Sequence, residues 1–169
     1  MKKITLSLIC ALLIPTVSFS SEGTLIDLES SYGMGPYYDV AYYNDTAYAA
    51  DSNKDLIVLD VTDSSNISLI NELEVGCDST DLEIDGSTLA VRCPFEIHFY
   101  DVSDSDAPSL IGTFDSPSYT VNSVKLDGDR LYMVGGNSDI AVYEASDLSS
   151  LQIINSQTFG PLGNVSVIY

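Results

Sequence analysis

Three observations predict an all-β fold. The chain repeats with a period of about 42 residues, and each unit places a turn-forming pair between two short apolar runs. Those runs are only about five or six residues long, rich in Val, Ile, Leu and Tyr, and lack a 3.6-residue stripe. The repeat is read from Asp39-Val-Ala-Tyr-Tyr-Asn-Asp-Thr-Ala47, Asp81-Leu-Glu-Ile-Asp-Gly-Ser-Thr-Leu89 and Ser123-Val-Lys-Leu-Asp-Gly-Asp-Arg-Leu131. A second alignment joins Leu56–Asp63, Ile97–Asp104 and Ile140–Asp147, and each unit closes on an apolar pair: Leu69-Ile70, Leu110-Ile111 or Ile153-Ile154. Periods near 40 with four strands per unit indicate propeller blades. The expected architecture is an incomplete β-propeller of about three four-stranded blades plus a flanking strand at each end.

The elements follow in order. Met1-Lys2-Lys3 is a basic start, Ile4 to Val17 is an apolar run of signal-peptide length, and small Ser18 and Ser20 flank Phe19. Residues 1–20 therefore read as a secretion signal, because a membrane-spanning helix needs about 20 apolar residues and this run is shorter. Cys10 lies inside the apolar run after Ile9, where a lipoprotein site would need a small residue. Residues 21–169 form the partial propeller. Thr24–Ser31 resembles the fourth strand of a blade, the repeats occupy about 35–75, 76–116 and 117–158, and residues 159–169 start a fourth. The chain thus reads as the front portion of a longer protein, with self-association through open blade edges as a consequence.

Asn44-Asp45, Asp85-Gly86 and Asp127-Gly128 accept the positive φ of tight hairpins. In the middle unit Leu82, Ile84, Leu89 and Val91 alternate with more polar neighbours, which predicts one buried face. Cys77 and Cys93 are the cysteines that remain after signal cleavage, and export places them where a disulfide persists. With Asp85-Gly86 as the loop, Ile84 faces Ser87, Cys77 faces Pro94, and Cys93 is one residue from register. A bulge or a longer turn at either end brings the pair together. Closing that loop of about 15 residues contributes on the order of 3 kcal/mol through the unfolded state.

The segments Leu56-Ile-Val-Leu-Asp60 with Val61-Thr62-Asp63, and Phe99-Tyr-Asp-Val-Ser-Asp104 with Ala107-Pro108-Ser109-Leu110-Ile111-Gly112, resemble the LVIVD repeat of secreted bacterial and archaeal proteins. Tyr48-Ala-Ala-Asp51 matches the strand that precedes that motif, and the resemblance covers roughly residues 24 to 169. It implies a β-propeller and transfers no catalytic residues. The third copy departs most, with Glu144 in place of the Asp and no Pro.

The composition narrows the function classes. Six Lys+Arg against 25 Asp+Glu give a formal net charge of −19, which makes nucleic acid an unfavourable partner. With 45% hydrophobic residues and 11 Tyr the chain is too apolar for a disordered acidic tail. His98 is the single histidine and lies in a strand, so an imidazole metal cluster or a Ser-His-Asp arrangement has one candidate at most. Asp60 with Asp63, Asp101 with Asp104, and Glu144 with Asp147 repeat an acid-x-x-acid spacing at a strand exit. Calcium ligation by Asp60, Asp63, Asp101 and Asp104 is the weaker reading, because the spacing lacks a dense calcium-loop run. Capping of turn N–H groups is the stronger. The cluster Tyr32, Tyr37, Tyr38, Tyr42, Tyr43 and Tyr48 suits packing more than an aromatic surface for sugars or peptides. Asn44-Asp-Thr46, Asn66-Ile-Ser68 and Asn164-Val-Ser166 are sequons, discounted because the signal looks bacterial.

Two functions fit. The first is a secreted, periplasmic or surface-exposed module without enzymatic activity, cofactor or membrane span, whose loops on one propeller face meet an extracytoplasmic protein or glycan. The alternative is a cell-envelope enzyme using a glycosidase-like carboxylate pair that needs further blades.

Overall fold

The computed structural model describes residues 37–51, 55–79, 81–116, 120–135 and 139–158. The secretion signal, the expected flanking strand at Thr24–Ser31 and the expected start of a fourth blade at 159–169 lie outside these residues. Twelve strands occur in order: β1 (Tyr37–Tyr43), β2 (Thr46–Asp51), β3 (Asp55–Asp60), β4 (Ser68–Glu74), β5 (Asp81–Asp85), β6 (Thr88–Arg92), β7 (Glu96–Asp101), β8 (Ser109–Asp115), β9 (Val121–Asp127), β10 (Arg130–Gly135), β11 (Asp139–Glu144) and β12 (Gln152–Thr158). They form three four-stranded antiparallel meanders, β1 to β4, β5 to β8 and β9 to β12. The first strands of successive sheets lie beside one another, β1 against β5 and β5 against β9. The fold is all-β, three propeller blades stacked through their faces.

The hairpin turns correct one expectation. The two-residue loop of the first blade is Asn44-Asp45, with φ of 47° and 60°. In the second and third blades Asp85 pairs Thr88 and Asp127 pairs Arg130. The loops there are Gly86-Ser87 and Gly128-Asp129, one residue later than predicted. Gly86 and Gly128 carry φ of 55° and 57° at the first loop position, where Asn44 sits in the first blade. The Asp is the last ladder residue, and Ile84 therefore faces Leu89 rather than Ser87.

The period appears again in the irregularities. Strand three pairs strand four with a shift between Val58 and Leu59, between Phe99 and Tyr100, and between Val142 and Tyr143. In each case one residue of the outer strand, Ile70, Ile111 or Ile154, is the extra member of a β-bulge. The apolar pairs that close each repeat mark this bulge rather than a core strand: Leu69, Leu110, Ile111, Ile153 and Ile154 are all exposed.

The core lies between the blades. One cluster joins Tyr48, Leu56 and Val58 of the first blade to Leu82, Leu89 and Val91 of the second. The next joins Ala90, Ile97 and Phe99 of the second blade to Val124, Leu126, Leu131 and Met133 of the third. Leu89, Ala90 and Val91 are consecutive, alternate between the two clusters, and are fully buried. The middle blade thus has two buried faces where alternation predicted one, because small Ala90 occupies the second contact without adding an apolar signal to the pattern.

Candidate binding face

Antiparallel meanders bring two connections of every blade to the same end: the hairpin between strands one and two, and the loop between strands three and four. The loop leaves the third strand and immediately bonds the hairpin. Val61 N donates to Asp45 O at 3.0 Å, Val102 N to Ser87 O at 2.8 Å, and Ala145 N to Asp129 O at 2.8 Å. A turn follows in each loop, where Asn66 N donates to Asp63 O, Ala107 N to Asp104 O and Ser150 N to Asp147 O, at 2.8 to 3.1 Å.

The strand-exit carboxylates hold these turns. Asp60 Oδ1 accepts from Thr62 N at 2.9 Å and Asp101 Oδ1 from Ser103 N at 2.8 Å. Asp63 Oδ1 accepts from Ser65 N at 3.0 Å, and Asp147 Oδ1 accepts from Ser149 N at 3.0 Å and from its hydroxyl at 2.6 Å. Hydrogen bonds from Thr62, Ser103 and Ser149 hold the carboxyls of Asp60, Asp101 and Asp147 below the ordinary range. Glu144 is one methylene too long for this turn. Its carboxylate accepts instead from Arg130 Nη1 at 2.8 Å.

Neighbouring blades are tied near the same end. Tyr48 is fully buried and its hydroxyl donates to Ser105 O at 2.8 Å, in the loop of the next blade. Burial, with the Asp106 charge as the next cause, pushes its phenol up to about 12. Gly128 N donates to Asp85 Oδ2 at 2.6 Å, from one hairpin to the one before it. A Cβ on Gly112 would meet the Leu148 carbonyl oxygen and Ser149 Cα at 2.9 Å, so the second blade touches the third blade's loop at backbone distance. Along the inner strands Leu82 N donates to Asp39 Oδ2 at 2.7 Å, and Lys125 pairs with Glu83. Arg92 bonds Asp81 at 3.2 Å and the Val121 carbonyl at 2.6 Å. Burial raises the Asp81 carboxyl and Asp39 adds to the rise, with Arg92 opposing both.

The resulting end of the molecule is a hydrogen-bonded surface of exposed carboxylates, including Asp45, Asp63, Asp85, Asp104, Asp129 and Asp147. The tyrosines divide. Tyr48 packs in the core, while Tyr38 and Tyr42 are 55% and 58% exposed, and the Tyr42 hydroxyl donates to Asp45 Oδ1 at 2.9 Å. Tyr42 therefore adds an aromatic ring beside the hairpin carboxylates. Tyr32 and Asn164 lie outside the described residues.

At the opposite end Cys77 and Cys93 form a disulfide with Cα atoms 5.9 Å apart. The ladder would place Cys93 well away from Cys77, and a turn closes the gap: Gly76 has φ of +82° and Ser79 N donates to Cys77 O at 2.9 Å. Cys93 N donates to Glu96 O at 2.8 Å across the β6–β7 turn. His98 sits in β7, opposite Val91 and Thr113. Among the described residues, one group of three or more His, Cys, Asp or Glu side chains gathers within ligating distance, and it is Cys77, Cys93, Glu96 and His98. Asp60, Asp63, Asp101 and Asp104 are spread over two blades and do not belong to it. The sequence reading missed this cluster. Its signal is the spacing Cys93-x-x-Glu96-x-His98, which acquires meaning once the β6–β7 turn is placed.

No family model matches the chain, and no curated protein does. Solved structures match its fold. The computationally designed Ika4 protein is 8% identical at a TM-score of 0.60, covering 76% of each chain. The N-terminal domain of Nup159 is 10% identical at 0.56, covering 83% of this chain and 36% of that one. A chain of the S. cerevisiae complex of Dbp5 with Nup159, Gle1, IP6 and ADP is 10% identical at 0.55, covering 83% and 35%. This chain spans about a third of the length of the two natural structures. At such identities the likeness is one of fold, a β-propeller. No helix among the described residues is long and apolar enough to cross a membrane.

Proposed function

We propose that this is an extracytoplasmic binding or scaffold module of the LVIVD-repeat kind, acting without catalysis, in which the hairpin-and-loop end of the blades meets a protein or glycan. The observation that carries the reading is the thrice-repeated bond from exit loop to hairpin, at 2.8 to 3.0 Å. It fixes the backbone of this end in the same way in each blade, so binding pays little to order the loop backbone that carries the exposed side chains. The Asp60, Asp101 and Asp147 carboxylates serve that backbone as turn caps. Arg92, Lys125 and Arg130 are each paired with acids, so the surface charge offered to a partner is negative. The basic start, apolar run and small-residue exit of residues 1–20 support export.

Screening the full chain against glycan and secreted-protein panels, with hydrolysis measured in parallel, tests this. The expected result is binding without turnover, weakened by Asp63→Asn with Asp104→Asn, and a mature N-terminus after Ser20. Turnover of a glycan that a single carboxylate-to-amide change abolishes would overturn it in favour of the enzyme.

A further inference from the structure

We propose that Cys77, Cys93, Glu96 and His98 are a redox-gated zinc site, closed as a disulfide when oxidised and able to bind one Zn2+ through four side chains when reduced. The ligating atoms of all four residues lie within 4.8 Å of one another. A tetrahedral zinc with bonds of about 2.3 Å to sulfur and about 2.0–2.1 Å to nitrogen and oxygen needs its ligands less than about 4 Å apart, so small side-chain shifts suffice. Two thiolates, an imidazole and a carboxylate are a donor set that zinc takes and that calcium or magnesium would not.

The second observation is His98 itself. Its Nε2 is buried and makes no hydrogen bond, although it lies 3.3 Å from Glu96 Oε1. A buried ring nitrogen that faces a carboxylate without making a hydrogen bond is costly, and a metal ion at the centre of the cluster would satisfy both groups. The fold holds the ligands ready. Cys93 and Glu96 bracket one tight turn, and His98 follows two residues later on the same strand, hence on the same face. Cys77 enters from the β4–β5 connection, its Cα 5.9 Å from that of Cys93. The Glu96 side chain is 35% exposed and marks the way in.

The chemistry balances with a dithiol as reductant. The dithiol supplies two electrons and two protons and closes to its own disulfide, while the Cys77–Cys93 S–S bond breaks and both sulfurs become thiols. Zn2+ then replaces the two thiol protons, which leave to water, and neutral His98 coordinates through Nε2. The same two loops are clasped in either state, covalently or through the metal.

The full 169-residue chain, stripped of metal and reduced with a water-soluble phosphine, is titrated with Co2+ as a spectroscopic substitute for zinc. One equivalent should bind with a thiolate-to-cobalt charge-transfer band and tetrahedral d–d bands, and one equivalent of Zn2+ should bleach them. The oxidised chain should give neither. His98→Gln should weaken binding at least about tenfold. Glu96→Gln, at a partly exposed position where folding is not at stake, should shift the d–d bands. A reduced chain without the charge-transfer band, His98→Gln or Glu96→Gln proteins with the wild-type titration and spectrum, or equal cobalt binding by the oxidised chain would each overturn the proposal.

Discussion

Asp60, Asp101 and Asp147 accept most strongly while ionised, so acid weakens the turns they cap. Their folded-state carboxyls lie below the ordinary value, which means that the unfolded chain takes up protons first as pH falls. Their contribution is complete above about pH 4 and disappears as pH falls through the lower folded values. Thermal melts from pH 6 to pH 2 should show stability falling with pH, and the triple Asp→Asn variant, whose amide oxygens can still accept, should show a shallower fall. Tyr48 works in the opposite direction. Its phenol is raised from 10.0 to about 12, so its contribution is present below pH 10 and lost as pH rises toward 12. Tyr48→Phe should flatten that alkaline limb and destabilise the protein by about 1–2 kcal/mol at neutral pH, since the Ser105 carbonyl loses its donor. Equal alkaline limbs in the two proteins would refute the assignment.

At the scale of elements, the loop between strands three and four does two tasks, sealing its own hairpin and receiving the preceding blade. Gly112 is where the second is most constrained, because its neighbours are backbone atoms that cannot rotate away. Gly112→Ala should destabilise by roughly 1–3 kcal/mol, measured by urea titration, and the loss should come from separation of the second and third blades. A neutral substitution would mean that the loop yields freely. Much at this scale was legible in the sequence. The repeat located four strands per unit, and the acid-x-x-acid spacing identified the caps. The second and third hairpins were misplaced by one residue because Asp-Gly is a strong turn dipeptide, although aligning Asn44 with Gly86 and Gly128 already puts the Asp in the ladder. The bulges at Ile70, Ile111 and Ile154 were hidden, since a bulge is set by pairing between strands and not by local preference. The Glu96 and His98 cluster was hidden for a related reason: Cys77, from the β4–β5 connection, meets the β6–β7 turn and the start of β7 only in the folded chain.

For the whole molecule, charge opposes compaction. A net charge of −19 repels itself, and among the described residues the cations Arg92, Lys125 and Arg130 are each committed to local pairs. Raising ionic strength from about 0.01 M to about 0.15 M shortens the screening length from about 30 Å to about 8 Å, so the melting temperature should rise. A melting temperature that stays level or falls across that range would show that the charges are already well compensated. The 42-residue sequence period is a period in space, each blade packing its face on the blade one repeat later. Methyl-to-methyl nuclear Overhauser contacts in the labelled protein test it most directly. Cross-peaks should join Ala90 and Ile97 of the second blade to the Val124, Leu131 and Met133 group of the third, while contacts confined within each four-stranded sheet would mean that the repeats do not stack.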